Sequence, residues 1–368
     1  MPDLRDMLNR TDAPYLLHGF EVSYFTAKVR CALRYKQLWF EECRADMADI
    51  IRRTGLAFIP IVITPEDATW QDSSEIFDLL EQRHPDPPLF PDAPVQTIAA
   101  HLIELYTDEF ATMPAMHTRW ALSEASTRQR FGAMLGSNER GNKAADQMIK
   151  GRFALGADDA AGPVLNAHIR DLLDALSTHL QEHPYMLGER MSFADCALMG
   201  PLHAHFFTDL ASREILLETA TPVVGLIERC NAPTRATQGD WQENGGIADS
   251  LAALLAVMGR DAAPILLASI DAVQTWADQQ PDDELEVPRS VGWINTELRD
   301  HPIRRIASSY TLFQTQRVLD AYAALSPVDT AAVDIAFAGT GFDEILALRP
   351  RHRFEKKNFQ LVRRLEST

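Results

Sequence analysis

Cysteine is scarce in this chain, with only Cys31, Cys43, Cys196 and Cys230 among 368 residues. None of them lies in a C-x-x-C or zinc-finger spacing, which argues against a disulfide framework and a metal site; the four read as small buried hydrophobes. The sequence also lacks a glycine-rich phosphate loop, an H-E-x-x-H and a G-x-S-x-G, so its chemistry must rest on quieter features. No apolar run reaches the ~18–20 residues of a membrane span. The opening MPDLRDMLNRTDAP has no apolar signal-peptide core, which predicts a cytoplasmic chain. Positive charge is in the minority, 35 basic against 52 acidic residues for a net −17. Binding to nucleic-acid phosphates is therefore not expected. The acidic excess favours solubility and says little about fold.

What is present is a globular composition, 46% hydrophobic and 24% charged. The length suits two or three domains. Tyr15 to Gly19 is a short apolar run and predicts a strand. Phe25, Val29, Ala32 and Leu33 form one stripe at helical spacing and predict a helix over 25–36. Strands are expected at 38–43, 59–64 and 69–71, and a helix over 74–83 with Ile76, Leu79 and Leu80 inward. The order β-α-β, a connection, then β-β-α is a thioredoxin-like unit over 13–84. The segment 85–96 is proline-rich and reads as a linker. Residues 97–240 show only helical patterning. Residues 241–368 are again mostly helical, with a basic close from Phe354 to Arg364 that could end in a strand or tail. Leu251, Leu254 and Leu255 begin one apolar face, and Ile265, Leu266, Ile270 and Val273 another. Such faces must be buried, which predicts that this extension packs onto the 97–240 bundle, with the region of Trp293 narrowing a cleft.

Three local features could carry chemistry. Ser23 opens the first helix, where free N–H groups and about half a positive charge gather; it is either a simple N-cap or a donor to a thiolate held above it. Phe58-Ile59-Pro60-Ile61-Val62 puts a proline at the start of a central strand. A cis Ile59–Pro60 bond would leave the Ile59 backbone open to a peptide-like ligand. Asp72 and Ser73 precede the next helix and either cap it or hold the charged end of a ligand, with Asp72 beside an ammonium. Farther on, Ser192 and Asp195 make a capping box, a structural feature.

Strand, S-x-x-T at a helix start, I-P-x-V, D-S-x-x-I and the downstream Gly188–Asp195 motif, taken in this order, resemble the glutathione S-transferase family over residues 13 to about 238. Glu21 to Thr26 and Ala115 to Trp120 are similar to bacterial, C-terminally extended members of the serine type. The resemblance implies an α+β chain: a thioredoxin-like N-terminal domain, an all-α C-terminal domain of the glutathione-transferase kind, and a mostly helical extension. It implies glutathione as co-substrate and no metal. Ser23 would activate the thiol, and Tyr24, Phe25, Phe58, Ile59, Pro60, Asp72 and Ser73 would bind glutathione. Tyr24 replaces the proline and Phe58 the polar residue that many relatives carry. Met113, Met116, His117 and Trp120 are expected to line the pocket for a small apolar electrophile, against a competing reading as ordinary core. Asp108 could reach the glutathione of a partner subunit in a homodimer. A non-catalytic binding or regulatory protein on the same fold is the alternative. Serine at position 23 argues against the mixed-disulfide chemistry of a reductase.

Overall fold

Tyr15–Gly19 alternates buried and half-buried residues and forms β1, a central strand of a four-stranded sheet with order β2-β1-β3-β4. The computed structural model describes residues 13–234, 238–281 and 285–364. β2 (Phe40–Arg44) runs parallel to β1, so a crossover is required; α1 (Tyr24–Tyr35) supplies it. β3 (Ile61–Ile63) pairs antiparallel with β1, and β4 (Thr69–Gln71) antiparallel with β3. α3 (Ser73–Arg83) closes the unit. The connection between β2 and β3 contains a further helix, α2 (Met47–Thr54), capped by Asp46 and ended by Gly55 at φ 72°. Two helical turns give too short a periodicity to read from sequence, whereas the Asp and Gly caps are legible. The Ile59–Pro60 and Asp86–Pro87 bonds are both cis.

α4 (Pro94–Leu105) opens the helical domain. It continues through a π turn, Tyr106–Phe110, into α5 (Thr112–His117). A second π turn, Thr118–Leu122, leads to α6 (Glu124–Leu135) and α7 (Asn138–Ala154). α8 (Gly162–Glu182), α9 (Phe193–Pro201), α10 (Leu210–Thr219) and α11 (Thr221–Asn231) complete the domain. The Ser192–Asp195 capping box forms at the start of α9.

The extension begins with α12 (Asp249–Asp278). It continues as a hairpin of β5 (Ser290–Leu298) and β6 (His301–Ser308). α13 (Ser309–Ala323), α14 (Pro327–Phe337) and α15 (Phe342–Leu346) follow, and a second hairpin, β7 (Arg353–Lys357) and β8 (Gln360–Arg364), closes the chain. The β5–β6 hairpin corrects the helical expectation for this stretch. Its turn is Arg299–Asp300, both at positive φ, the two-residue geometry of a tight hairpin. Neither residue is the usual Asn-Gly signal, so the turn is hidden in the sequence.

One continuous core unites the three parts. It runs from Leu17 and Phe77 through Ile98 and Leu172 to Leu254, Leu266 and Phe342. The apolar face that starts at Leu251 is thus buried on the helical domain, as its periodicity requires. A smaller cluster, with Ile270, Val273, Leu312, Phe354 and Leu361, belongs to the extension itself. The segment Glu243–Asp278 is long and apolar enough to cross a membrane by length and composition alone, and 56% of its most apolar window is buried inside the protein. The sequence reading misses it because Arg260, Asp261 and Asp271 interrupt the apolar run.

Candidate functional site

The loops at one end of the sheet, the first π turn and the extension enclose a cavity of about 440 Å³. Phe25, Phe58, Ile59, Pro60, Asp72 and Ser73 make its thioredoxin-like wall. Asp108, Glu109, Thr112 and Leu155 make the helical wall. The third wall comes from the extension: Arg289, Arg305, Ile306, Ser308, Tyr310 and Lys356. Six of the eight residues expected at the glutathione site therefore meet in one place, although they come from three separate segments of the chain, the start of α1, the stretch before β3 and the start of α3.

Ser23 and Tyr24 are the exceptions. Ser23 is half-buried at the head of α1, with φ −80° and ψ 128°, and its Oγ accepts from the Thr26 N–H at 3.4 Å. It stands beside the cavity wall that begins with Phe25, not in it. Tyr24 is buried and turned the other way. Its hydroxyl donates to the Thr107 carbonyl at 2.7 Å, and its ring packs edge-on against His205. A position expected to bind glutathione is thus a strut between the two domains. The bulk of a phenol and its need for a buried acceptor explain the placement.

Asp72 uses both carboxylate oxygens. Oδ1 accepts from the Ser74 and Glu75 N–H groups at 3.0 and 3.4 Å and caps α3. Oδ2 lies 3.1 Å from Lys356 Nζ. The ammonium that Asp72 was expected to hold is therefore supplied by the chain itself. Lys356 also reaches Glu75 at 3.2 Å. Burial alone would lower the Lys356 pKa, but Asp72, Tyr310 and Glu75 outweigh it and the net shift is upward. Phe58 is 38% exposed, with the Arg289 guanidinium 3.7 Å from its ring centroid.

Behind the cavity, Lys28 is buried between two carboxylates. It donates to Glu104 Oε1 and Asp108 Oδ2, each at 2.7 Å, and to Ser74 Oγ at 3.1 Å. Gln314 of α13 donates to the same Ser74 Oγ at 3.0 Å. Burial would raise the Glu104 carboxyl, but the Lys28 and Arg317 cations hold it at about 2. For Asp108 burial wins over Lys28, with the Glu104 charge adding to it, and the carboxyl is pushed up to about 7. One cation cannot fully stabilise two neighbouring anions away from water. Asp108 was expected to face a partner subunit; within the chain it is occupied by Lys28.

None of the four residues expected around the electrophile lines the cavity. Met113, His117 and Trp120 are buried. His117 Nε2 bonds Asn166 Oδ1 at 3.0 Å, and Trp120 packs edge-on against Phe131. Met116 is half-buried and packs on the cluster formed by Val22, Trp120 and Phe131. Met113, His117 and Trp120 are core and Met116 packs at the edge of a core cluster, so the expected helical segment is present but these side chains are committed to packing away from the cavity. Trp293 is 54% exposed on β5 under the Arg304 guanidinium. The cavity is narrowed by the neighbouring strand β6.

The sequence reading missed Arg289, Arg305, Tyr310 and Lys356. The one available signal was the basic close of an otherwise acidic chain. Nothing local connects it with Asp72.

Residues 17–88 match the family described as glutathione S-transferase, N-terminal domain, and residues 161–232 match glutathione S-transferase, C-terminal domain. The two matches together cover less than half of the chain, and the extension lies outside both. A search of curated proteins finds no match. Among solved structures, a glutathione S-transferase from Rhodospirillum rubrum is 16% identical, with 65% of this chain and 99% of that one covered, at a TM-score of 0.41. A glutathione S-transferase from Methylobacterium radiotolerans, in complex with glutathione sulfonate, is 22% identical over 64% of this chain and 99% of its own, at 0.38. The beta-etherase LigF from a Sphingobium strain is 15% identical over 60% and 96%, at 0.41. Similarity this low says nothing about activity.

Proposed function

We propose that this chain is a glutathione-transferase-like enzyme that binds glutathione along Ile59–Pro60 and activates its thiol at the head of α1. The observation that carries this reading is the meeting of Phe25, Ile59, Pro60, Asp72 and Ser73 on one wall of the cavity. The Ile59 backbone belongs to no strand ladder. A cysteinyl thiol has a reference pKa of ~8.5, so only a few per cent is thiolate at neutral pH. Lowering that pKa by ~2 requires ~2.7 kcal/mol of differential stabilisation. A hydrogen bond to a charged group supplies ~1.5–3 kcal/mol. Ser23 Oγ accepts from Thr26, which leaves its own proton to donate to a thiolate, and the free N–H groups of α1 add to it. The thiol releases its proton to water, so no general base is needed. The electrophile then enters from the side of Thr112 and Leu155.

A second reading, a non-catalytic binding or regulatory protein, is favoured by the Lys356–Asp72 pair, which fills the place of the glutathione ammonium. Calorimetric titration of the full chain with glutathione separates the two. A dissociation constant from micromolar to low millimolar supports the enzyme; no heat at millimolar glutathione supports the regulatory protein.

A further inference from the structure

Arg305 is 2% exposed, yet its Nε and Nη1 have no hydrogen-bond partner among the described residues. Its one bond runs from Nη2 to the Glu109 carbonyl at 3.3 Å. The Glu109 carboxylate, nearby, accepts instead from Thr311 Oγ1 at 2.6 Å. A buried guanidinium with unsatisfied donors is costly unless an anion completes it. Arg305 lines the cavity, and so does Arg289, which is exposed, stacks on Phe58 and Tyr310, and makes no ion pair among the described residues. The third cation of this wall is spent on Asp72 and Glu75. On the carboxylate side, Asp72 is held by Lys356 and Asp108 by Lys28. Asp108 Oδ1 is buried and has no hydrogen-bond partner among the described residues. Glu109, the third acid of the lining, acts on both arginines and offsets one of their charges. The arginine pair therefore keeps one positive charge unmatched, and the unpartnered Nε and Nη1 of Arg305 belong to that pair. Around them stand Phe25, Leu155 and Ile306, an apolar surface.

We infer that the extension adds a carboxylate subsite to the cavity, in which Arg305 and Arg289 receive the carboxylate of an organic acid with an apolar body. The planar fork of arginine suits a carboxylate, which can accept two N–H bonds from it. The inference extends the proposed reading from an apolar electrophile to an amphipathic acid. It is tested by binding alone, so it can fail separately from that reading.

The probes are 4-phenylbutyrate and its neutral isostere 4-phenylbutyramide, titrated calorimetrically into the full chain. The acid is expected to bind at least tenfold more tightly than the amide. In Arg305→Gln and in Arg289→Gln that ratio should fall to within twofold, with amide affinity unchanged. Glutathione and its glycyl monoethyl ester form the second arm. A tenfold loss on esterification that vanishes in the two variants assigns the subsite to the glycyl carboxylate of glutathione. Arginine-dependent preference for the acid in the first arm assigns it to the second ligand, even where glutathione does not bind at all. Absence of arginine-dependent preference in both arms overturns the inference. Arg289 is exposed, so Arg289→Gln gives a folded variant if Arg305→Gln does not.

Discussion

Lys356 Nζ lies 3.1 Å from Asp72 Oδ2, so the last hairpin of the chain neutralises the acid that caps α3. Gln314 on Ser74 and the bidentate Arg317–Asp78 pair, at 2.6 and 2.9 Å, add two more ties from the extension to the same helix. Residues outside both matched domains thus set the charge and the shape of the cavity. Four expectations follow from this arrangement.

Lys356→Met keeps the length of the side chain and removes its charge. It should cost about 1–3 kcal/mol of stability, the scale of a lost hydrogen bond to a charged group. It should also free Asp72 for the glutathione ammonium and tighten glutathione binding roughly tenfold. Calorimetry on the variant checks this. Unchanged or weaker binding would mean that Lys356 does not compete for that place.

Ser23→Ala should leave the fold intact, with a loss of ~1 kcal/mol for a helix cap. The pKa of bound glutathione should rise by a unit or more, read from thiolate absorbance against pH. A superimposable titration would remove Ser23 from the mechanism.

Asp108 has its folded-state carboxyl pushed up to about 7 from an ordinary value of 3.8. A raised pKa means that the folded chain holds the proton more tightly than the unfolded one. The associated stability is fully present below about pH 4 and is lost as pH rises toward 7. Asp108→Asn mimics the protonated form and cannot titrate. The stability of the natural chain relative to this variant should therefore decline between pH 4 and 7, by on the order of 1–4 kcal/mol. Paired urea titrations at pH 4 and 7 would show it, and a constant difference would refute the shift.

Removing residues 241–368 should yield an insoluble or much less stable fragment. Leu251, Leu254, Leu255 and Leu266 are all buried in the core shared with the helical domain. Truncating one such leucine to alanine costs ~2–5 kcal/mol. Losing the whole helix exceeds the ~5–15 kcal/mol that stabilises a typical domain. A soluble fragment with the thermal midpoint of the full chain would show that the extension is an independent unit.

The sequence by itself determined the local events. Asp72 before Ser74 and Glu75, Ser23 before Thr26, Ser192 with Asp195, and Ile59–Pro60 are signals between neighbours a few residues apart. Short-range hydrogen bonding and backbone preference suffice to read them. The apolar stripe of α12 also announced that it must be buried, because a helix face of that width cannot remain in water. Tertiary structure decided everything that depends on which face meets which. Tyr24 became a strut, and Met113, His117 and Trp120 became core, because a helical repeat shows that a face is buried without showing against what. Arg305 entered the cavity on a hairpin whose turn, Arg299–Asp300, carries no glycine to mark it. Lys356 found Asp72 across nearly the whole chain. Such a pairing leaves no periodicity or spacing behind, because charge attraction over a few ångströms depends on distance in space and is blind to distance along the sequence.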